Sequence, residues 1–176
     1  LAVAGVAGLF ALIQIAPYRA ARLSVFLHPE LDPQGIGYQI NQAFLAIGSG
    51  GLFGKGFGMS RQKFLYLPEV ISDSIFAVIA EELGFFLTVG LLGLFIVFAL
   101  RGLRAAHRAP DLFGKLLAAG ITFLVMIQVF ANMGSMVGLL PLTGLPLPLI
   151  SYGGSAMVMT LAGMGILINI SRHSKA

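Results

Sequence analysis

YLPEVISDSIFAVIAEELG, residues 66–84, holds four carboxylates, Glu69, Asp73, Glu81 and Glu82, in a chain of 176 residues with only 7 Asp and Glu. It stands where a polar loop enters a long apolar run, Ile75 to Leu100. That run is long enough to cross a bilayer, which takes about 20 residues. An acid at the mouth of a membrane helix is costly to keep there, so it marks chemistry or transport.

The rest of the chain agrees with a membrane setting. It is 57% hydrophobic and 10% charged, against roughly 25% charged in a soluble domain. With no cysteine it has neither disulfide nor thiolate metal site. The net charge of +4 does not imply nucleic acid, because the basic residues gather at helix ends. His28, His107 and His173 are scattered and make no metal-ligand set. No cofactor is implied by these residues, and a divalent cation stays open.

The pattern predicts an all-α polytopic membrane protein with about four transmembrane helices, a long extracellular loop and a Pro-broken re-entrant segment. Leu1 to Ala16 reads as a first span or its remnant, ended by Pro17 and Tyr18. With no initial Met, no basic n-region and no cleavage site, the start reads as a cut near a helix. The chain is then a single membrane domain, residues 1–176, forming the C-terminal part of something longer. Residues 17–74 read as a long connection, and loops of that length are usually functional. Within it Tyr38 to Ile47 is amphipathic, fit to lie at the interface, and Gly48 to Gly58 is too glycine-rich for regular structure. Ile75–Leu100 is the second span, and Arg101, Arg104 and Arg108 place the loop 101–115 in the cytoplasm. Leu116 to Val137 returns outward. Residues 138–150, with three prolines and no charge, form an outer broken segment. Tyr152 to Ile170 is the last span. The loop 17–74 and its acids then face outside, although Arg19 and Arg22 go with them.

Asp73 has two readings. As an N-cap it would satisfy orphan N–H groups and favour the helix dipole. As a general base it would take a proton from an attacking hydroxyl. If the helix includes Asp73, Ala77 and Glu81 share its face, and the small Ala77 leaves room for a substrate. Glu81 and Glu82 point about 100° apart, so at most one joins Asp73. Glu69 caps or lines the same cleft. The glycine-rich stretch is not a Walker A loop, yet its N–H groups with Lys55, Arg61 and Lys63 suit a phosphate in the headgroup region as well as they suit a flexible anchored loop. Gln128 and Asn132 share a face of the third span and read as helix–helix hydrogen bonds; Gly134-x-x-x-Gly138 reads as close packing. Ser151, Tyr152 and Gly153, after the prolines, read as a wall of the outer cavity.

Three stretches, DPQGIGYQINQAFLAIGSGGLFGKG, LPEVISDSIFAVIAEELG and GLLPLTGLPLPLISYGGS, follow one another in an order that resembles the SEDS family (FtsW, RodA, SpoVE) from about Pro17 onward. The spans read here resemble that family's C-terminal ones. The resemblance implies a peptidoglycan glycosyltransferase that polymerises lipid II into glycan strands at the outer face of the bacterial cytoplasmic membrane, in division or shape maintenance. It implies a class B penicillin-binding protein as transpeptidase partner, other divisome or elongasome membrane proteins, and no nucleic acid. It makes Asp73 the essential acid and Glu69 the motif's glutamate. The usual HTDF is here Ile71-Ser72-Asp73-Ser74, which keeps the hydroxyl beside the acid and lacks the His and the aromatic. The short spacing of GFGMSRQKFLYLPE resembles FtsW more than RodA. A lipid II flippase and a non-catalytic scaffold for the transpeptidase are the competing readings.

Overall fold

The structure, a computed structural model, describes residues 17–62 and 72–173. The first predicted span, Lys63 and Glu69 lie outside them. Helix α1 covers Pro17–Leu27, a short 3₁₀ turn Pro29–Leu31 follows, and α2 runs Ile36–Gly50. Then come α3, Ile75–Arg108, α4, Leu112–Met136, and α5, Gly154–Arg172. Among the described residues there are no strands, and α3, α4 and α5 are long and apolar enough to cross a membrane.

Residues 17–74 are therefore largely helical where described, and not one long loop. Pro17 is the first described residue of α1, and the Arg, Ala and Leu residues after it are strong helix formers. Asp32 starts α2 by accepting hydrogen bonds from the N–H groups of Gly35 and Ile36, at 3.0 and 2.8 Å. The buried face of α2 is Ile40, Ala43, Ala46 and Gly50, at helical spacing, and the helix continues through Gly48. It packs on the first turns of α3, where Phe76, Ala77, Val78 and Ala80 are buried. The approach is nearly backbone to backbone: a Cβ on Gly50 would lie 2.1 Å from the Ala80 carbonyl oxygen.

α3 is one element only in outline. Gly84 sits at φ 76, ψ −178 inside it, a conformation essentially confined to glycine, so the predicted smooth span is broken. The carbonyls of Glu81 and Glu82 accept from the N–H groups of Lys55 and Gly56, both at 3.0 Å. The N–H groups of Phe85 and Phe86 donate to the carbonyls of Gly51 and Leu52, at 2.9 and 3.3 Å. The loop after α2 thus supplies the hydrogen bonds that the break removes, as an apolar surrounding demands.

At its other end α3 continues through Arg101, Arg104 and Arg108, so the predicted loop 101–115 shrinks to a tight turn before α4. Arg, Leu and Ala favour helix, and Asp111 caps α4 by accepting from Gly114 N–H at 3.3 Å. Gly134 packs on Leu140, and Gly138, just past the end of α4, lets the Phe44 ring of α2 come close: Cβ atoms there would stand 3.1 Å from Leu140 Cδ1 and 2.6 Å from Phe44 Cζ. α4 ends at Met136, and the Gly134 carbonyl closes the turn by accepting from Leu139 N–H at 2.8 Å. Residues 138–153 are irregular, as the prolines predict, and lead into α5.

Candidate active site

Asp73 lies in the turn immediately before α3. Ser74, not Asp73, is the N-cap residue, and its side chain makes no cap bond, so the capping reading of Asp73 fails. The helix excludes Asp73, and Ala77 offers no space: it is fully buried against the core.

Side chains from two helices fix this turn, and one from a third braces the segment beside it. From α2, the Gln39 amide donates to Ser74 Oγ at 3.0 Å. From α4, the Asn132 amide donates to the main-chain carbonyls of Asp73 and Leu145, each at 2.8 Å. One side chain thereby ties the acid's backbone to the proline-rich segment. From α1, Arg22 Nη1 donates to the Leu142 carbonyl at 2.9 Å. Gly144, at φ 68, lies where these parts meet: a Cβ there would stand 3.7 Å from Arg22 Nη2 and 3.8 Å from Asp73 Oδ2.

The acid itself is half-buried. Among the described residues its carboxylate accepts one hydrogen bond, from Ser72 Oγ at 3.1 Å. A half-buried carboxylate with open lone pairs and a guanidinium nearby can accept a proton from a hydroxyl. Arg22, Gly144, Gln39 and Asn132 were not legible as site residues from the sequence. The one signal was Arg22, a cation that the topology sends to the same side as the acids.

Glu81 and Glu82 make a second cluster, about 12 Å further along α3 by helical rise. Glu81 is fully buried. It accepts from Lys55 Nζ at 2.6 Å, Ser60 Oγ at 2.5 Å, and the N–H groups of Arg61 and Gln62 at 3.4 Å. Lys55 also donates to Ser49 Oγ at 2.8 Å. Glu82 accepts from Gly58 N–H at 2.9 Å and Ser60 N–H at 3.4 Å. These groups hold the glycine-rich loop to the break in α3, and they bring Lys55 to Glu81 instead of to Asp73. The Arg61 side chain is on the exposed surface.

Ser151 is buried and accepts from Leu147 N–H at 2.7 Å, while its own N–H donates to the Leu147 carbonyl at 2.9 Å. Tyr152 is exposed, and Gly153 is the N-cap of α5. No described contact joins these three to Asp73. Among the described residues no three His, Asp or Glu gather to hold a metal.

The fold and this site define an all-α, polytopic membrane protein with an acid poised at the end of a broken helix. The chain belongs to the FtsW/RodA/SpoVE family, whose model, described as "Cell cycle protein", matches residues 1–176. It is 49% identical to Stage V sporulation protein E of Bacillus subtilis over 97% of this chain and 47% of that protein. It is 48% identical to the peptidoglycan glycosyltransferase MrdB of Escherichia coli K12, over 90% of this chain and 43% of that one. The chain thus spans about half the length of the curated relatives it matches. Among solved structures it resembles a peptidoglycan synthase complex studied for coordination of polymerization and crosslinking, with TM-score 0.69, 32% identity, and 96% of this chain and 48% of that chain covered. A mutant of the Rod shape determining protein RodA from Thermus thermophilus matches with TM-score 0.57, 39% identity, and 76% and 40% covered.

Proposed function

We propose that this chain is the acid-bearing part of a peptidoglycan glycosyltransferase that polymerises lipid II into glycan strands. The observation that carries the reading is the family's motif acid, Asp73, with its backbone fixed by Asn132 and its carboxylate held only by Ser72 among the described residues. The 4-hydroxyl of one lipid II attacks the anomeric carbon of a second lipid-linked chain. Asp73 takes the hydroxyl proton, the new glycosidic bond forms with inversion, and polyprenyl pyrophosphate leaves with the electron pair of the broken bond. Arg22 places positive charge beside the acid, where it favours the anionic leaving group. Lys55 is committed to Glu81, so we assign the remaining pyrophosphate contacts to Arg61 and Lys63, and substrate contact to Glu69. The site then faces the outside of the bacterial cytoplasmic membrane, with a class B penicillin-binding protein as crosslinking partner.

The test is lipid II polymerisation by the full-length parent with its cognate transpeptidase, wild type against Asp73→Asn. Insertion and partner binding are confirmed first. Loss of glycan strands with binding intact is the expected result. Retained polymerisation would move the base elsewhere. Absence of polymerisation in both forms would favour the flippase or scaffold readings.

A further inference from the structure

The loop that mends the break in α3 also presents an apolar surface. Leu83 to Leu100 contains no charged residue. That is roughly 18 residues and about 27 Å of helix, close to the ~30 Å hydrocarbon core of a bilayer. Arg101, Arg104 and Arg108 bound it on one side, and Glu81 and Glu82 on the other. The hydrocarbon boundary on the acid-bearing side therefore runs at the level of Gly84. The backbone bonds from residues 51–56 to 81–86 fix the glycine-rich loop at the same level.

At that level the loop turns its apolar side chains out and its polar groups in. Phe53 is 82% exposed, Phe57 89% and Met59 67%. The Phe53 ring meets Phe86 at 5.6 Å, and Phe86 meets Phe85 at 6.1 Å. Phe85, Phe86, Leu87 and Val89 are themselves exposed on the span, so the patch continues the exposed apolar surface of the span. Meanwhile the Lys55 ammonium and the Gly58 and Ser60 N–H groups point back to Glu81 and Glu82. An exposed apolar patch of this kind marks an interaction surface. Protruding rings at the end of a span suit a fluid medium, and aromatic residues favour the membrane–water boundary.

We propose that residues 51–59 form an interfacial anchor whose partner is the bilayer itself, with Phe53 and Phe57 seated at the boundary between headgroups and acyl chains. The anchor is joined to the first turns of α3 by Glu81 and Glu82. It therefore fixes the height of Asp73, about 16 Å above Gly84 by helical rise. That this height serves catalysis rests on the proposed reaction; the loop's seat in the membrane does not.

The test needs no turnover, so its outcome is separate from the fate of the glycosyltransferase reading. These 176 residues carry no cysteine. In the full-length protein, any other cysteines are replaced, and nitroxide labels are placed singly by Phe53→Cys, Phe57→Cys and Met59→Cys. Glu30→Cys serves as the aqueous reference and Leu94→Cys, an exposed position near the middle of the span, as the mid-span reference. The protein is reconstituted in vesicles of phosphatidylethanolamine and phosphatidylglycerol, and label relaxation by oxygen and by a water-soluble nickel chelate is measured. Oxygen access exceeding chelate access at 53 and 57, between the two references, is expected. Chelate access equal to that at Glu30 would put the loop in water. Low access to both reagents would put it against protein. Either result overturns the proposal, and the Met59 label decides if a ring replacement disturbs the loop.

Discussion

Glu81 is fully buried and both of its oxygens accept hydrogen bonds, from Lys55, Ser60 and the main chain of residues 61–62. Asp73, two turns earlier on the same stretch, is half-buried, and its carboxylate has Ser72 as its hydrogen-bond donor among the described residues. The contrast lies in which part of each residue the protein holds. At Glu81 the side chain is saturated, so it cannot receive a substrate proton without breaking a buried ion pair. At Asp73 the main chain is clamped by Asn132 and the side chain is left able to react. Position is fixed through the backbone, and the carboxylate keeps open lone pairs, as the proposed base requires.

Exchanging each acid for its amide should separate the two. Asp73→Asn keeps the shape and the Asn132 bond, so the full-length protein should insert, bind its partner and melt as wild type does. Lipid II polymerisation should fall by about 10²–10⁴-fold, the usual contribution of a general base. Glu81→Gln should do the reverse. It leaves the Lys55 ammonium without its counter-charge and turns an amide N–H₂ toward existing donors. Removing one member of a buried pair costs about 3–5 kcal/mol, and the lower end suits Lys55, whose side chain is 33% exposed. Thermal unfolding of the purified full-length protein should therefore drop clearly. Lys55→Met added to Glu81→Gln should recover part of the loss, because a neutral pair leaves no stranded charge. If Glu81→Gln instead abolished polymerisation at unchanged stability, the two acids would share one role and the contrast would collapse.

Asn132→Ala sharpens the comparison further. It removes two 2.8 Å bonds, each worth about 1 kcal/mol net, from the junction of the acid's turn and the proline-rich segment. Stability should fall by about 2 kcal/mol. If the clamp positions the acid, kcat for the folded fraction should fall as well, with little change in KM. A role confined to packing would leave the specific activity of the folded fraction unchanged.

Much of this contrast was hidden in the sequence for physical reasons. The spans α3, α4 and α5 were legible because an apolar run of sufficient length leaves few alternatives in a membrane. Asp73 stood out because charge at a span mouth is rare. The break at Gly84 was not legible: a glycine inside an apolar helix is tolerated, and only the approach of Gly54, whose N would lie 2.2 Å from a Cβ on Gly84, shows that this one is required. Glu81 and Glu82 read as candidates for binding because their partners, Lys55, Ser60 and Gly58, are more than 20 positions away. Asn132 read correctly as a hydrogen-bonding side chain, but its acceptors were the carbonyls of Asp73 and Leu145, which no helical periodicity reveals. α1 read as part of a long connection because Pro17 outweighed the Arg, Ala and Leu after it, while α2 was legible only as the amphipathic stretch Tyr38–Ile47, the glycines at its end hiding its continuation to Gly50.

Ser72→Ala is the smallest perturbation of the acid and the closest probe of how it is held. The Ser72 hydroxyl donates to Asp73 Oδ1 at 3.1 Å, a long O–H···O contact, and Ser72 itself is half-buried. Removing it deletes a bond worth about 1 kcal/mol without opening a cavity or touching the Asn132 clamp. Polymerisation should fall by about fivefold, the factor that 1 kcal/mol represents. Ser72→Thr, which keeps the hydroxyl, should restore most of it. The melting temperature should hardly move in either variant. A drop as deep as that of Asp73→Asn would mean that the backbone clamp alone does not orient the carboxylate. The acid would then be held through its side chain, as Glu81 is.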